Sequence, residues 1–207
     1  MPVYGPVGIT DAADDGQEQG AVWSSVAENV GHSGSPIHIG LRFRGVPVPP
    51  LVVINSATLI LIPRNAAIGT VGNVEGLIAG HLGDAPVFAD GVFSPNVGFN
   101  PTSTVAFSPT AWTVDHPTEQ TLVITSIVQA IVDGTWAEND DMAFRINDNS
   151  TPSENSVRAW DFLDGNTPSS GSAGSKLTID WTSGAANLPR VVVAELLRPF
   201  NMSRGRR

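Results

Sequence analysis

Cysteine is absent from this 207-residue chain. That excludes a disulfide framework, a thiolate metal site and a thiol nucleophile, and leaves the fold to rest on a packed core. Lysine occurs once, as Lys176, and 11 basic residues stand against 20 acidic ones, for a net charge of −9. Such a chain is a poor nucleic-acid surface, because phosphate contact needs clustered Lys and Arg. No apolar run approaches the roughly 20 residues that a membrane-spanning helix requires. Residues Met1–Ile9 lack the basic and apolar regions of a secretory leader, so synthesis and retention in a cytoplasm, or release by assembly or lysis, is expected. Gly-x-Ser-x-Gly, His-Glu-x-x-His and Walker-type sequences are missing, so an enzyme is not expected.

What is present points to strands. The 21 glycines and 16 prolines are scattered without period, which suits many short strands joined by turns. A chain this long can be one β domain that buries roughly 70% of its unfolded surface. Ile37 to Phe43 alternates: Ile37, Ile39, Leu41 and Phe43 share one face, and His38, Arg42 and Arg44 the other. Gly45-Val-Pro-Val-Pro-Pro50 cannot be helix or central strand, because proline lacks a ladder donor. Asn55-Ser56 is expected to turn the chain before a buried strand at Ala57–Ile62. Residues 80–104 form a long Gly/Pro/Asn-rich excursion around isolated Val87, Phe88, Val92, Phe93 and Phe99, of the kind that serves as a functional loop or a crossing between sheets.

Thr125 and Ser126 offer capping hydroxyls before Ile127, Val128, Ile131 and Val132 at helical spacing, and Gly134 fits a stop. One helix at about 125–133 is therefore predicted, capping one end of the sandwich. Met142, Phe144 and Ile146 share a strand face. Leu177, Ile179 and Trp181 do the same in a closing strand. The expected organisation is an arm or loop at 1–20, a sandwich at 21–181 and an extension at 182–207.

Charge divides the chain. Residues 1–189 carry 19 acidic and 6 basic side chains, or −13, whereas 190–207 carry five arginines against Glu195, or +4. Arg198, Phe200, Arg204, Arg206 and Arg207 are the candidate docking residues for an acidic partner. Val191–Val193 reads equally as a final edge strand.

The ordered runs DDGQE (14–18), GLRFRGVPVP (40–49), INSATLIL (54–61), FSPTAW (107–112), LVITSIVQAIVDGTW (122–136), NDDMAFRI (139–146), VRAWDF (157–162) and KLTIDW (176–181) resemble DNRLRE-type, carbohydrate-module-like β-sandwich domains. These occur in bacterial surface proteins and in structural proteins of tailed phages. The resemblance covers residues 8–181. It implies an all-β, antiparallel jelly-roll sandwich with one short helix, no catalytic activity, and in related modules a structural calcium near the early acidic segment.

Other chemistry is sparse. His32, His38, His81 and His116 are dispersed, whereas a zinc site needs four close ligands. Asp14/Asp15 and Asp140/Asp141 read as solvated turn carboxylates; calcium held by Asp11, Asp14, Asp15 or Glu18 is the alternative, although EF-hand spacing is missing. No metal or cofactor is expected. Trp112 and Trp136 lie by turns and are the candidate sugar-stacking rings, while Trp160 and Trp181 read as packing. Two functions follow as expectations. One is a non-enzymatic virion structural protein, a capsid decoration or accessory component contacting the major capsid protein and other virion proteins, as a homo-oligomer, without nucleic acid or membrane. The other is a module that binds a cell-surface glycan.

Overall fold

The computed structural model describes residues 1–11, 13–25, 29–32, 36–62, 75–92, 98–108, 119–149, 157–159 and 174–182. Among the described residues, two antiparallel sheets pack face to face, with one helix between them at one end. The first sheet has the order β1-β12-β6-β9, formed by Val3–Gly8, Lys176–Thr182, Val53–Leu61 and Gln120–Val123. The second contains β2 (Asp15–Gln19), β3 (Val22–Ser24), β4 (Asn29–His32), β5 (Pro36–Phe43), β7 (Gly76–Gly80), β8 (Val105–Phe107), β10 (Met142–Asp148) and β11 (Val157–Ala159). Successive strands cross repeatedly from one sheet to the other, and β1 ends beside β12: an antiparallel β-sandwich of jelly-roll type.

Alternation builds the core. In β5, Ile37, Ile39, Leu41 and Phe43 are all buried, and β10 presents Met142, Phe144 and Ile146 to the same layer through the pairs Phe43–Met142 and Leu41–Phe144. Leu59, Leu61, Leu177, Ile179 and Trp181 face them from the other sheet. The proline-rich connector carries the chain between the sheets, with Val46 and Val48 buried on the way.

The helix α1, Thr125–Val132, buries Ile127, Val128, Ile131 and Val132. It packs on β6 of one sheet and β7 of the other, and so plugs the sandwich end. Gly80 permits this approach: a Cβ there would lie 2.6 Å from Ile131 Cδ1 and 2.7 Å from Ile127 Cγ2. The N-cap is Ile124, without a side-chain cap bond. Thr125 Oγ1 instead accepts from the Ala57 backbone N–H at 3.0 Å, so the hydroxyl expected to cap the helix ties it to β6.

Two expectations are corrected. The supposed arm at 1–20 is woven into both sheets, β1 on β12 and β2 on β5. Its strands lack hydrophobic alternation because β1 is an edge with a register irregularity, between Tyr4 and Val7, at Gly5. Gly5 has φ +96°, and a Cβ there would sit 2.2 Å from the Leu177 carbonyl oxygen. Asn55 and Ser56 do not turn the chain but lie within β6, where the pairing shifts opposite Asp180 and Trp181. Asn55 joins Asp180 and Thr182 across that irregularity, at 3.4 and 2.9 Å. No helix among the described residues is long and apolar enough to cross a membrane.

Candidate functional site

The outer face of the second sheet carries the polar chemistry. The alternation that sends Ile39 and Leu41 inward turns His38, Gly40 and Arg42 outward, and register places Glu18 beside His38, Gly16 beside Gly40, and Arg145 beside Gly40. Residues from the long excursion roof this face. Ala85, Phe88 and Val92 pack on Ala143 as a second small core, with Trp23 and Phe99 against them. Trp23 and Phe88 pack as a tilted ring pair with centroids 4.9 Å apart, and the Trp23 backbone N–H donates to Asp90 at 2.8 Å. Ala85, Phe88, Val92 and Phe99 of the excursion thus cover this face of the sheet.

Phe99 is held by two contacts, one cationic and one from a neutral ring. The Arg145 guanidinium sits 5.1 Å from the Phe99 ring centroid, and the buried His81 ring meets the same phenyl edge-on at 5.3 Å. Burial lowers the Arg145 guanidinium from its ordinary value, against the opposing charge of Glu18. Burial likewise lowers the His81 imidazole, with Asp84 acting in the other direction. His81 Nδ1 accepts the Asn100 backbone N–H at 2.9 Å, which requires the neutral ring.

At one margin of this face an ionic cluster joins four chain segments. Asp14, 1% exposed, accepts from Arg42 Nη1 at 2.9 Å and pairs with Arg44 Nε at 2.5 Å. Arg42 also pairs through Nη2 with Asp141, whose other oxygen accepts the Gly45 N–H at 2.8 Å. The Asp141 N–H donates to Asp84 at 2.9 Å, and Arg44 reaches Asp11 at 3.0 Å. The Ala13 backbone N–H holds the Asp11 carboxyl below the usual carboxylate range, helped by Arg44. The Asp14 carboxylate, with Asp11 adding to it, holds the Arg44 guanidinium above its ordinary value. Two arginines among three carboxylates are internally neutralised, so the cluster cross-links the chain and does not present a free cationic surface.

The sequence-predicted residues fall unevenly on this geometry. Trp136 is corrected: it is 4% exposed, and its Nε1–H donates to the Val48 carbonyl at 2.8 Å, so neither ring face is open to a sugar. Trp112, Trp160, Arg198, Phe200, Arg204, Arg206 and Arg207 lie outside the described residues. Asp14 and Asp15, read as solvated, are buried. Of the candidate calcium ligands, Asp11 and Asp14 are engaged by arginines. Among the described residues, no group of three or more His, Asp or Glu is disposed to hold a metal. Sequence reasoning missed the Arg42–Asp14–Asp141 link. Its only signal was an arginine on the outward register of an alternating strand, in a chain with an early acidic run.

A scan against protein-family models finds no match, and no curated protein matches the chain.

Proposed function

We propose that the chain is a non-enzymatic structural protein of a tailed-phage virion, a capsid decoration or accessory component that stabilises the particle through subunit contacts. One observation carries the reading. The described sandwich closes with β12 at Thr182, and the basic run 190–207, at +4, follows a body of −13. In this reading the acidic sandwich stands on the particle, and Arg198, Phe200, Arg204, Arg206 and Arg207 engage an acidic surface of a neighbouring virion protein. The order of sequence runs that resembles phage structural domains supports the same class. An interface added to an assembled shell stabilises it by mass action, in proportion to occupancy.

The test is co-sedimentation of the purified chain with undecorated capsids, beside a chain ending at Gly184. Binding by the full chain and its loss on truncation are expected. Equal binding by both takes the docking role from the extension, and no binding by either overturns the proposal. The glycan-module alternative now rests on Trp112. It would replace the first reading if the chain bound host cells, failed to bind capsids, and lost cell binding with Trp112→Ala.

A further inference from the structure

The described chain leaves the first sheet at Thr182, the last residue of β12, between β1 and β6. Register sets Val53 of β6 opposite Thr182, and Val3 of β1 opposite Asp180. Both valines point away from the core, because their neighbours Ile54 and Tyr4 pack into it. They are 60% and 58% exposed. Met1, also exposed, lies beside them, with the Asn55 amide donating to its Sδ at 3.5 Å. Asn55 in turn accepts the Thr182 hydroxyl at 2.9 Å, so β12 ends within an uncovered apolar patch. In sequence, the small residues Ser183-Gly-Ala-Ala-Asn187 follow, and then Leu188-Pro-Arg-Val-Val-Val-Ala-Glu-Leu-Leu197, seven of whose ten residues are apolar.

We propose that the patch of Met1, Val3 and Val53 is the seat of the chain's own segment 188–197. A segment this apolar gains free energy by leaving water, and uncovered apolar surface lies where it starts. Five extended residues reach about 17 Å at most, some three strand spacings, so the connector 183–187 delivers the segment to this end of the first sheet. A tether that short gives an effective concentration on the order of millimolar, far above that of a second copy in dilute solution. Charge agrees with the placement, since Arg190 of the segment comes to a face that carries Asp180. Seated there, the segment sends Arg198, Arg204, Arg206 and Arg207 out from the margin of the first sheet. The seat does not depend on what those arginines engage.

The chain has no cysteine, so Glu195→Cys in the full chain takes a single nitroxide spin label and leaves the apolar residues of the segment unchanged. In methyl NMR spectra the Met1, Val3 and Val53 signals should lose most of their intensity, and regain it when the nitroxide is reduced. Val22 and Val87, as exposed but on the second sheet and its roof, should keep theirs. Val53→Asp, a change at an exposed position that the fold tolerates, should return the Met1 and Val3 signals. The proposal is overturned by equal loss at Val22 and Val87, by no loss at the patch, or by loss that Val53→Asp leaves unchanged. Mixing isotope-labelled chain that lacks the nitroxide with spin-labelled chain at natural abundance should leave the patch signals intact. Loss there would place the segment on a second copy and overturn the seat in its own chain.

Discussion

Gln129 on α1 offers the sharpest test of how the helix is seated. Its Oε1 accepts the Ile54 backbone N–H at 2.8 Å, and its Nε2 donates to the Val52 carbonyl at 3.0 Å and to Asp133 at 2.9 Å. The amide thus completes the first pairs of β6, where a strand neighbour would otherwise be. Gln129→Ala leaves two partly buried backbone groups without these partners. At about 1 kcal/mol for each of the two net hydrogen bonds, less what water replaces at this half-buried site, the loss is at most about 2 kcal/mol. For a domain of this size the upper bound corresponds to a fall in Tm of roughly 4–8 °C. Gln129→Glu discriminates the mechanism. Its carboxylate still accepts from Ile54 but faces the Val52 carbonyl and Asp133 without a proton to donate, so it should destabilise at least as much as alanine at pH 7. The same two oxygens raise that carboxyl above its ordinary value, so protonation restores a donor and the gap to wild type should narrow as pH falls toward the ordinary carboxylate range of about 4. The assay is guanidinium unfolding with the midpoint read at unchanged slope. A change below about 0.5 kcal/mol for Gln129→Ala would refute the pairing role, since ordinary surface substitutions fall in that range.

Gly80→Ala should destabilise by about 1–3 kcal/mol in the same assay, because Ile127 and Ile131 must move to admit a methyl group; a neutral result would show that α1 has room to shift. Trp136→Phe loses the bond to the Val48 carbonyl and strands that buried oxygen, at about 1–3 kcal/mol, and is expected to leave any glycan binding intact. His81 should titrate below 6.5 by NMR. Because its folded pKa is depressed, the neutral ring favours the fold, and this contribution is lost as pH falls through 6.5 toward the folded value. A value above 6.5 would mean that the charge of Asp84 outweighs burial.

The sequence by itself determined the class of the fold and most of its inward faces. Period-two alternation at Ile37–Phe43, Met142–Ile146 and Leu177–Trp181 is a local property, because side-chain direction in a strand follows from the backbone alone. The short helix was legible for the same reason, from apolar residues at helical spacing. What escaped was whatever depends on a distant partner. Val3–Gly8 carries no strand pattern of its own and becomes a strand because β12 offers it an edge. Asn55 and Ser56 carry turn chemistry, yet β12 on one side and β9 further along β6 keep them extended. Trp136 looked like a turn residue, and only the path of the proline connector brings the Val48 carbonyl to its indole. Asp14, Arg42 and Asp141 are 28 and 99 residues apart in the chain from Arg42's two partners' standpoint, and only the crossing of the sheets sets them within bonding distance. Burial and pairing are pairwise quantities, and a single strand's pattern states one half of each.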